Sequence, residues 1–293
     1  MSGLAAPRRA THGLGMTVIV ETAPAKINLA LHVRRRRADG YHDLETLFAF
    51  CRDGDRVTVE PSAATSLTLT GPFAAVLESE AKEDNLVTRA ARRFGERFGV
   101  TGGHAITLDK HLPIASGIGG GSADAAATLR ALARLHDVPL DHAELFALAA
   151  GLGADVPACL LGRTARGEGK GDALRPLPPL GDRPVLLVNP GVAVSTAAVF
   201  GGWDRVDRGP LGEGDAMAVA AEGRNDLEPP ARAIAPQIDA VLALLEGAAG
   251  VDLARMSGSG ATCFAIFRNA AARDAAAQTA SAQGWWVLPT FLQ

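Results

Sequence analysis

Aromatic residues make up only 5% of the 293-residue sequence, and tyrosine occurs just once. Cysteine is also scarce, and the three cysteines lie far apart without any Cys-x-x-Cys pair, which argues against a disulfide framework or a cysteine-based metal site. No run of about 18 apolar residues occurs, so no membrane span is predicted. The cysteines are Cys51, Cys159 and Cys263.

The charges nearly balance, with 29 Lys and Arg against 32 Asp and Glu and a formal net charge of -3. Because a nucleic-acid-binding protein needs a basic surface, nucleic acid is not expected as a partner. Residues 1–15 contain Arg8 and Arg9 but no apolar signal-peptide segment, and they are predicted to form a disordered extension. A cytoplasmic location is therefore expected, and the oligomeric state stays open.

The order of the predicted elements indicates an α+β protein, because strands are grouped before helices in the first half of the chain. Residues 167–184 are dense in Gly and Pro and are the best candidate for a domain boundary. Predicted strands cover 17–20, 27–33, 44–50, 56–60, 66–70, 105–110, 185–189, 262–267 and 285–288. Predicted helices cover 86–98, 123–136, 141–150, 231–245 and 271–282.

A glycine-rich loop is the most informative segment of the sequence. Residues 112–127 read LPIASGIGGGSADAAA, and they lead from the predicted strand 105–110 into a helix-forming run. Free N–H groups at such a helix N-terminus favour a phosphate. No Lys follows Gly121, which excludes a Walker A loop, and Ser122 stands where a dinucleotide fingerprint requires Gly. A flexible surface turn is the alternative.

Lys26 and Asp155, two polar residues in apolar surroundings, are candidate catalytic residues. Lys26 and Asn28 are two apart in a predicted strand and therefore share a face. Asp155 lies within the segment 151–157, GLGADVP, where it could accept a hydroxyl proton in phosphoryl transfer, and an adjacent Lys would keep it ionised. The alternatives are a surface Lys on an edge strand and an Asp that caps a helix.

Three other segments carry recognisable features. A third glycine loop, after the loop from Pro113 and the segment 151–157, spans 256–262, MSGSGAT. The alternative interpretation of this loop is a plain hairpin turn. An Asp-Gly turn in 37–42, RADGYH, is followed by the single tyrosine and a histidine. The four arginines of 34–37 form either a solvated turn or a lip that faces a polyphosphate.

Taken together, these segments resemble the GHMP kinases, in order and from about Ala23 to Phe267. The loop from Pro113 is similar to the phosphate loop of that family, the segment 24–29 is similar to its first motif, and the segment 256–262 is similar to its third. The resemblance implies an α+β fold with the two-domain GHMP architecture and ligands in the interdomain cleft. The implied domains are an N-terminal ATP-binding domain, 16–170, and a C-terminal domain, 171–293.

Within the family, the segments 24–29, 37–42 and 151–157 are similar to the branch that phosphorylates 4-diphosphocytidyl-2-C-methyl-D-erythritol. The resemblance therefore implies ATP-dependent phosphorylation of the 2-hydroxyl of this small molecule, in the non-mevalonate isoprenoid pathway. ATP and Mg²⁺ are the implied cofactors. Asp124, an acid beside the phosphate loop, fits a Mg²⁺-assisted arrangement; Ser122 is a candidate metal ligand and Glu168 a weaker one.

The resemblance also assigns residues to roles. Tyr41 and Phe200 would enclose the cytosine ring, with His42 at its edge, and Asn85 would meet adenine unless it only caps a helix. The implied catalytic residues are Lys26 and Asp155. The implied ATP-binding residues are Asn85, Lys110, Pro113, Gly117, Gly119, Gly120, Gly121 and Ser122. The implied substrate-binding residues are Asn28, Tyr41, His42, Asp155, Thr196, Phe200, Gly258 and Gly260.

Three rival functions are disfavoured by single features of the sequence. A kinase for homoserine or a mevalonate derivative has no use for the Tyr41–His42 pair, since those substrates carry no base. A non-catalytic nucleotide-binding protein needs neither Lys26 nor Asp155. A Rossmann reductase would require the dinucleotide fingerprint that the glycine loop fails to match.

Overall fold

The computed structural model describes residues 10–12, 16–78 and 85–293. The chain divides into two units. The first unit comprises Met1–Pro24, Gly54–Leu112 and Gly121–Leu161, and the second comprises Ala25–Asp53, Pro113–Gly120 and Gly162–Gln293. Among the described residues, no helix combines the length and apolar composition needed to cross a membrane.

The strands and helices of the described residues are numbered along the chain. The strands are β1 (Ala10–His12), β2 (Met16–Arg36), β3 (His42–Ser62), β4 (Ser66–Thr70), β5 (Gly103–Asp109), β6 (Ala165–Gly169), β7 (Ala173–Pro176), β8 (Pro184–Asn189), β9 (Val251–Met256), β10 (Cys263–Phe267) and β11 (Trp286–Phe291). The helices are α1 (Ala74–Glu78), α2 (Leu86–Phe98), α3 (Gly120–Leu135), α4 (Ala143–Leu152), α5 (Val156–Leu161), α6 (Thr196–Gly201), α7 (Ala216–Glu222), α8 (Glu228–Ile234), α9 (Gln237–Glu246) and α10 (Ala270–Ser281).

The first unit contains a sheet with the strand order β1-β2-β3-β5-β4. β5 runs antiparallel to β3, with Arg56 opposite Asp109, and parallel to β4. The Phe94 side chain of helix α2 is completely buried, and α2 packs against α4. Helix α3 is buried along most of its alanine-rich length, because small side chains allow close packing on several sides at once.

The second unit contains an antiparallel sheet with the order β11-β8-β10-β9. Strand β10 is buried throughout, and its continuous apolar sequence fits a strand covered on both faces. Helices α9 and α10 cover this sheet and contribute Ile238, Leu242 and Ala277 to one apolar cluster. In the same unit β6 pairs with both β3 and β7.

Several predicted strands are longer in the structure than the sequence pattern indicated. The predictions 17–20 and 27–33 both fall within β2, and 44–50 and 56–60 both fall within β3. Burial alternates from Glu21 to Ala25, so strand geometry persists through polar residues and a proline that break the apolar pattern. By contrast, the predictions for β4 and α2 match the observed bounds.

The single helix predicted over 231–245 is two helices in the structure. Helix α8 ends at Ile234, and α9 begins at Gln237. Pro236 lies between them and interrupts the helix, because proline has no N–H to donate and its ring clashes with the carbonyl four residues earlier. The periodicity of the apolar residues continues across this break, which explains the wrong prediction.

The Gly- and Pro-rich segment 167–184 contains strand pairing as well as loops. It includes most of β6 and all of β7, which pair antiparallel, with Arg166 opposite Arg175. The predicted domains 16–170 and 171–293 follow the chain in order, whereas the two units alternate along it, since β2 and β3 each contribute residues to both. Of the predicted extension, 1–9 and 13–15 lie outside the described residues, and Ala10–His12 forms β1 against β2.

Candidate active site

The predicted phosphate loop, 113–120 of the second unit, is held in place by hydrogen bonds within the loop and to residues of the segment 256–262. Ser116 Oγ donates to the Pro113 carbonyl oxygen at 2.6 Å, and the Ser116 carbonyl oxygen accepts from Thr262 N at 3.1 Å. Ser257 Oγ donates to the Gly117 carbonyl oxygen at 3.0 Å. The third glycine loop therefore packs directly against the phosphate loop.

Two glycines make this contact possible. A Cβ atom on Gly117, whose φ is +76°, would lie 2.4 Å from the Ser257 carbonyl oxygen. A Cβ atom on Gly258, whose φ is +56°, would lie 2.7 Å from the Gly117 carbonyl oxygen and 3.3 Å from Asn28 Oδ1. Both positions require glycine for conformation and for space, since L side chains disfavour positive φ.

Helix α3 begins where the phosphate loop ends. Gly120 is its first residue, and Gly121 and Ser122 complete the first turn, where N–H groups have no partner within the helix. Gly119, with a φ of +68°, directs the chain into this turn. The partial positive charge of the helix N-terminus and these N–H donors suit a phosphate group.

Lys26 lies on β2 and is 2% exposed. Its Nζ donates to Asn28 Oδ1 at 2.9 Å and lies 5.5 Å from the centre of the Phe48 ring. Its backbone N donates to the Ile118 carbonyl oxygen at 3.0 Å. The alternative of a surface lysine on an edge strand is therefore excluded.

Asn28 connects Lys26 to the third glycine loop. Its backbone N donates to Ser257 Oγ at 3.1 Å, and its Nδ2 donates to Thr46 Oγ1 at 2.8 Å. Thr46 in turn donates to the Ala30 carbonyl oxygen. These bonds fix the amide so that its Oδ1 faces the lysine, which positions two polar groups of β2 in otherwise apolar surroundings.

A group of aromatic rings lies beside the start of β3. The His42 ring stacks on Phe200, with ring centres 4.9 Å apart, and meets the edge of Trp203 at 5.6 Å. Burial lowers the pKa of His42, and the nearby charge of Arg36 lowers it further, so the imidazole is neutral at pH 7. A neutral imidazole can both donate and accept a hydrogen bond.

Tyr41 has a different environment from its neighbour His42. It follows Gly40, whose φ is +87°, and its side chain is more than half exposed. Lys170 Nζ lies 4.9 Å from the centre of the Tyr41 ring. The ring that contacts Phe200 is that of His42, and the enclosure of a base by Tyr41 and Phe200 stays a prediction.

Thr196 and Ser259 lie within hydrogen-bond distance, with 3.0 Å between their hydroxyl oxygens. Thr196 is the first residue of α6, which Ser195 caps through a bond from Ala198 N. Gly260 has a φ of +78° and donates its N–H to the Ser257 carbonyl oxygen. The predicted residues Thr196, Gly258 and Gly260 therefore belong to one local arrangement.

In the first unit, Lys110 is buried between two carboxylates. Its Nζ lies 2.5 Å from Asp55 Oδ2 and 2.7 Å from Asp124 Oδ2. Burial alone would lower the pKa of Lys110, but the carboxylates, Asp124 first, outweigh it and raise that pKa. Burial also raises the pKa of Asp124 to about 7, and Asp55 contributes to this rise while Lys110 opposes it.

Asp55 was missed by the sequence analysis. Its Oδ1 accepts bonds from the backbone N of His111 at 2.5 Å and of Leu112 at 2.8 Å. It therefore orients both Lys110 and the chain that leads into the phosphate loop. Asn225 was also missed, and its Nδ2 donates to the carbonyl oxygens of Met256 and Gly258. Nothing in the local sequence marks either residue, because their partners are distant along the chain.

The remaining predicted residues of the first unit are Asn85 and Asp155. Asn85 caps α2, because its Oδ1 accepts from Val87 N at 2.9 Å, and its contact with adenine stays a prediction. Glu83 and Asp84, which precede Asn85 in the sequence, lie outside the described residues. Asp155 is half-buried and directly precedes α5. The pairing of Asp155 with Lys26, which lies in the second unit, stays a prediction.

Candidate metal ligands are few. Across residues 10–12, 16–78 and 85–293, no group of three or more His, Cys, Asp or Glu side chains could hold a metal ion. Glu168 is exposed and faces Arg166 at 3.2 Å. Because Mg²⁺ in nucleotide enzymes needs few protein ligands beside the phosphates, Ser122 at the first turn of α3 stays a predicted ligand.

Comparisons with known proteins agree with this geometry. The model of the GHMP kinases N terminal domain matches residues 85–163, and that of the GHMP kinases C terminal matches residues 211–284. A relative from Rhizorhabdus wittichii, named 4-diphosphocytidyl-2-C-methyl-D-erythritol kinase, is 55% identical over 277 residues, which cover 93% of this chain and 94% of the relative. The chain belongs to the GHMP kinases. Its matched ranges fall within the predicted domains 16–170 and 171–293.

Further relatives of this GHMP kinase carry the same name. One from Novosphingobium aromaticivorans is 50% identical and covers 98% of this chain and 97% of the relative. A crystal structure of 4-(cytidine 5'-diphospho)-2C-methyl-D-erythritol kinase matches with a TM-score of 0.78 and 38% identity, over 94% of this chain and 99% of the other. Homoserine kinase from Cytophaga hutchinsonii, at 19% identity and a TM-score of 0.68, shares the fold.

Proposed function

We propose that this GHMP kinase transfers the γ-phosphoryl group of ATP to the 2-hydroxyl of 4-diphosphocytidyl-2-C-methyl-D-erythritol, a step of non-mevalonate isoprenoid synthesis. The observation that carries the proposal is the ring group at the start of β3. His42 lies against Phe200 and Trp203, next to an exposed Tyr41. Aromatic and imidazole rings suit a nucleobase, which homoserine and mevalonate do not have.

In the proposed mechanism, the α3 N-terminus and the preceding loop bind the phosphates of ATP. Lys26, which Asn28 orients, places a positive charge where the transferred group carries negative charge. Asp155 accepts the proton of the substrate hydroxyl as that oxygen attacks phosphorus. Most of the catalytic effect then comes from positioning and charge stabilisation.

Mg²⁺ is the expected partner of ATP, and the residues near the loop are compatible with it. Ser122 offers a hydroxyl on the first turn of α3. Asp124 Oδ1 is buried and has no hydrogen-bond partner among the described residues, while its other oxygen binds Lys110. When bound, the ion would neutralise part of the phosphate charge.

Substrate selection is the direct test of this proposal. The purified full chain is incubated with ATP and, separately, the cytidyl diphosphate alcohol, homoserine, mevalonate and phosphomevalonate, while ADP release is followed. We expect ADP only with the cytidyl diphosphate alcohol. ADP release with homoserine or a mevalonate derivative, or at an equal rate without any alcohol, would contradict the proposal.

A further inference from the structure

The four consecutive arginines at the end of β2 differ in their partners. Three of them form ion pairs with nearby acids, which leave them little net charge for a ligand. The pairs are Arg34 with Glu45 and Asp207, Arg35 with Asp43, and Arg37 with Asp39 and Asp43. Arg36 is exposed and has no acidic partner among the residues that the structure describes.

The hairpin that follows fixes where Arg36 lies. Arg37 N donates to the Tyr41 carbonyl oxygen at 2.8 Å, and Gly40 N donates to the Arg37 carbonyl oxygen at 3.3 Å. With Gly40 at a φ of +87°, this is a three-residue hairpin loop with a glycine bulge. Counting outward from the Arg37–Tyr41 pair places Arg36, the last residue of β2, directly opposite His42, the first residue of β3.

Residues directly opposite in an antiparallel pair share a face, and their Cβ atoms are about 4.5–5.5 Å apart. Arg36 therefore lies on the face of His42, whose ring stacks on Phe200. The influence of Arg36 on the pKa of His42 agrees with this proximity. Arg35 and Arg37 lie on the opposite face, where both bind Asp43.

We infer that Arg36 binds the diphosphate of the cytidyl diphosphate substrate and makes the site select that diphosphate over the nucleoside alone. The inference rests on the proposed function for the identity of the substrate. A base held at His42 and Phe200 has its phosphates one sugar away, within reach of a long side chain on the neighbouring strand. The guanidinium fork matches phosphate oxygens, and Arg36, unlike the three neighbouring arginines, forms no ion pair with a carboxylate of the described residues.

The test compares two variants that remove the same charge from adjacent positions. Arg36→Gln removes the proposed ligand, and Arg35→Gln removes a charge from the opposite face as a control. Calorimetric titrations of the wild type and both variants use cytidine, CMP and CDP, with a non-hydrolysable ATP analogue saturating the nucleotide site. Thermal melts of all three proteins establish that they are folded.

We expect the wild type to bind CDP more tightly than cytidine. Arg36→Gln should lower CDP affinity about five- to tenfold, as loss of a charged but exposed contact implies, and leave cytidine affinity within about twofold. Arg35→Gln should change neither affinity by more than about twofold. The effect of Arg36→Gln should shrink as salt is raised from about 0.05 to 0.5 M, because the contact is exposed.

Two results would overturn the inference in distinguishable ways. If the wild type binds cytidine and CDP, and Arg36→Gln retains the full preference for CDP, then Arg36 does not bind the diphosphate. The proposed substrate is not contradicted by that result. If the wild type binds neither ligand, the proposed substrate is wrong and the role of Arg36 falls with it.

Discussion

The backbone N of Lys26 donates a hydrogen bond to the carbonyl oxygen of Ile118, with 3.0 Å between the two atoms. This bond fixes the strand that carries the proposed catalytic lysine to the proposed phosphate loop. Ser257 strengthens the connection, because its hydroxyl accepts from Asn28 N and donates to the Gly117 carbonyl oxygen. The main chain thus sets the spacing between the lysine and the phosphate site.

The first prediction concerns the proposed catalytic residues. Asp155→Asn and Lys26→Met should each lower turnover by about 100-fold or more, because they remove the proton acceptor and the positive charge. Affinity for a non-hydrolysable ATP analogue should stay within about twofold. Steady-state kinetics and calorimetry measure the two quantities, with Arg92→Gln on the exposed face of α2 as the control. Near-normal turnover in folded Asp155→Asn would exclude it as the base.

The second prediction concerns the contact between the two glycine loops. Gly117→Ala should lower the free energy of unfolding by about 2 kcal/mol or more, since its Cβ would lie 2.4 Å from a carbonyl oxygen at a positive φ. Gly121→Ala is the matched control, because its Cβ would meet only Leu86 Cδ1, at 3.5 Å, at a helical position. Urea unfolding measures both. Equal stability of the two variants would contradict the packing described here.

The third prediction concerns Tyr41. Tyr41→Ala should raise the KM for the cytidyl substrate by about tenfold, as the loss of about 1–3 kcal/mol of stacking implies, and leave the KM for ATP unchanged. Tyr41→Phe retains the ring and should behave like the wild type. Because the side chain is 56% exposed, neither change should lower the melting temperature appreciably. A lower melting temperature with both KM values intact would instead make Tyr41 a packing residue.

The fourth prediction concerns pH and the buried cluster around Lys110. The pKa of Asp124 is raised to about 7, so the folded protein binds a proton that the unfolded chain releases near pH 4. The resulting stability is present below about pH 4 and is lost as the pH rises through about 7. Over this range the stability of the wild type should therefore fall relative to that of Asp124→Asn.

Urea unfolding of both proteins at several pH values tests this direction. Asp109→Asn is a control for which the pH dependence of stability has the opposite sign, because a hydrogen bond from His111 lowers the pKa of Asp109. The stability that this carboxylate contributes is present above about pH 4 and is lost on acidification. A difference between the wild type and Asp124→Asn that stays constant from pH 4 to 7 would show that Asp124 remains ionised throughout.

The sequence predicts those parts of the fold that depend on local patterns. Helix α2 has a strong apolar periodicity and an Asn at its N-cap, and its predicted bounds are the observed ones. The phosphate loop is recognisable because its glycines precede a helix. By contrast, β2 could not be predicted as one strand, since its continuity across Glu21–Lys26 depends on pairing with neighbouring strands rather than on its own sequence.

The parts of the site that escaped prediction depend on contacts between distant residues. Asp55 binds Lys110 and the chain that follows it, yet it lies in an ordinary strand sequence. The stacking of His42 on Phe200 joins residues from β3 and α6. The resemblance implied that both lie near a base, but only the folded chain shows which rings touch.

Phosphorus NMR of the reaction mixture tests the central claim most directly. The full chain is mixed with ATP, Mg²⁺ and 4-diphosphocytidyl-2-C-methyl-D-erythritol, and spectra are recorded until ATP is consumed. We predict a new phosphomonoester signal whose intensity corresponds to one phosphomonoester per ADP formed, while the diphosphate signals of the substrate are retained. Formation of inorganic phosphate alone, or of no new signal, would contradict the proposed phosphorylation of the 2-hydroxyl.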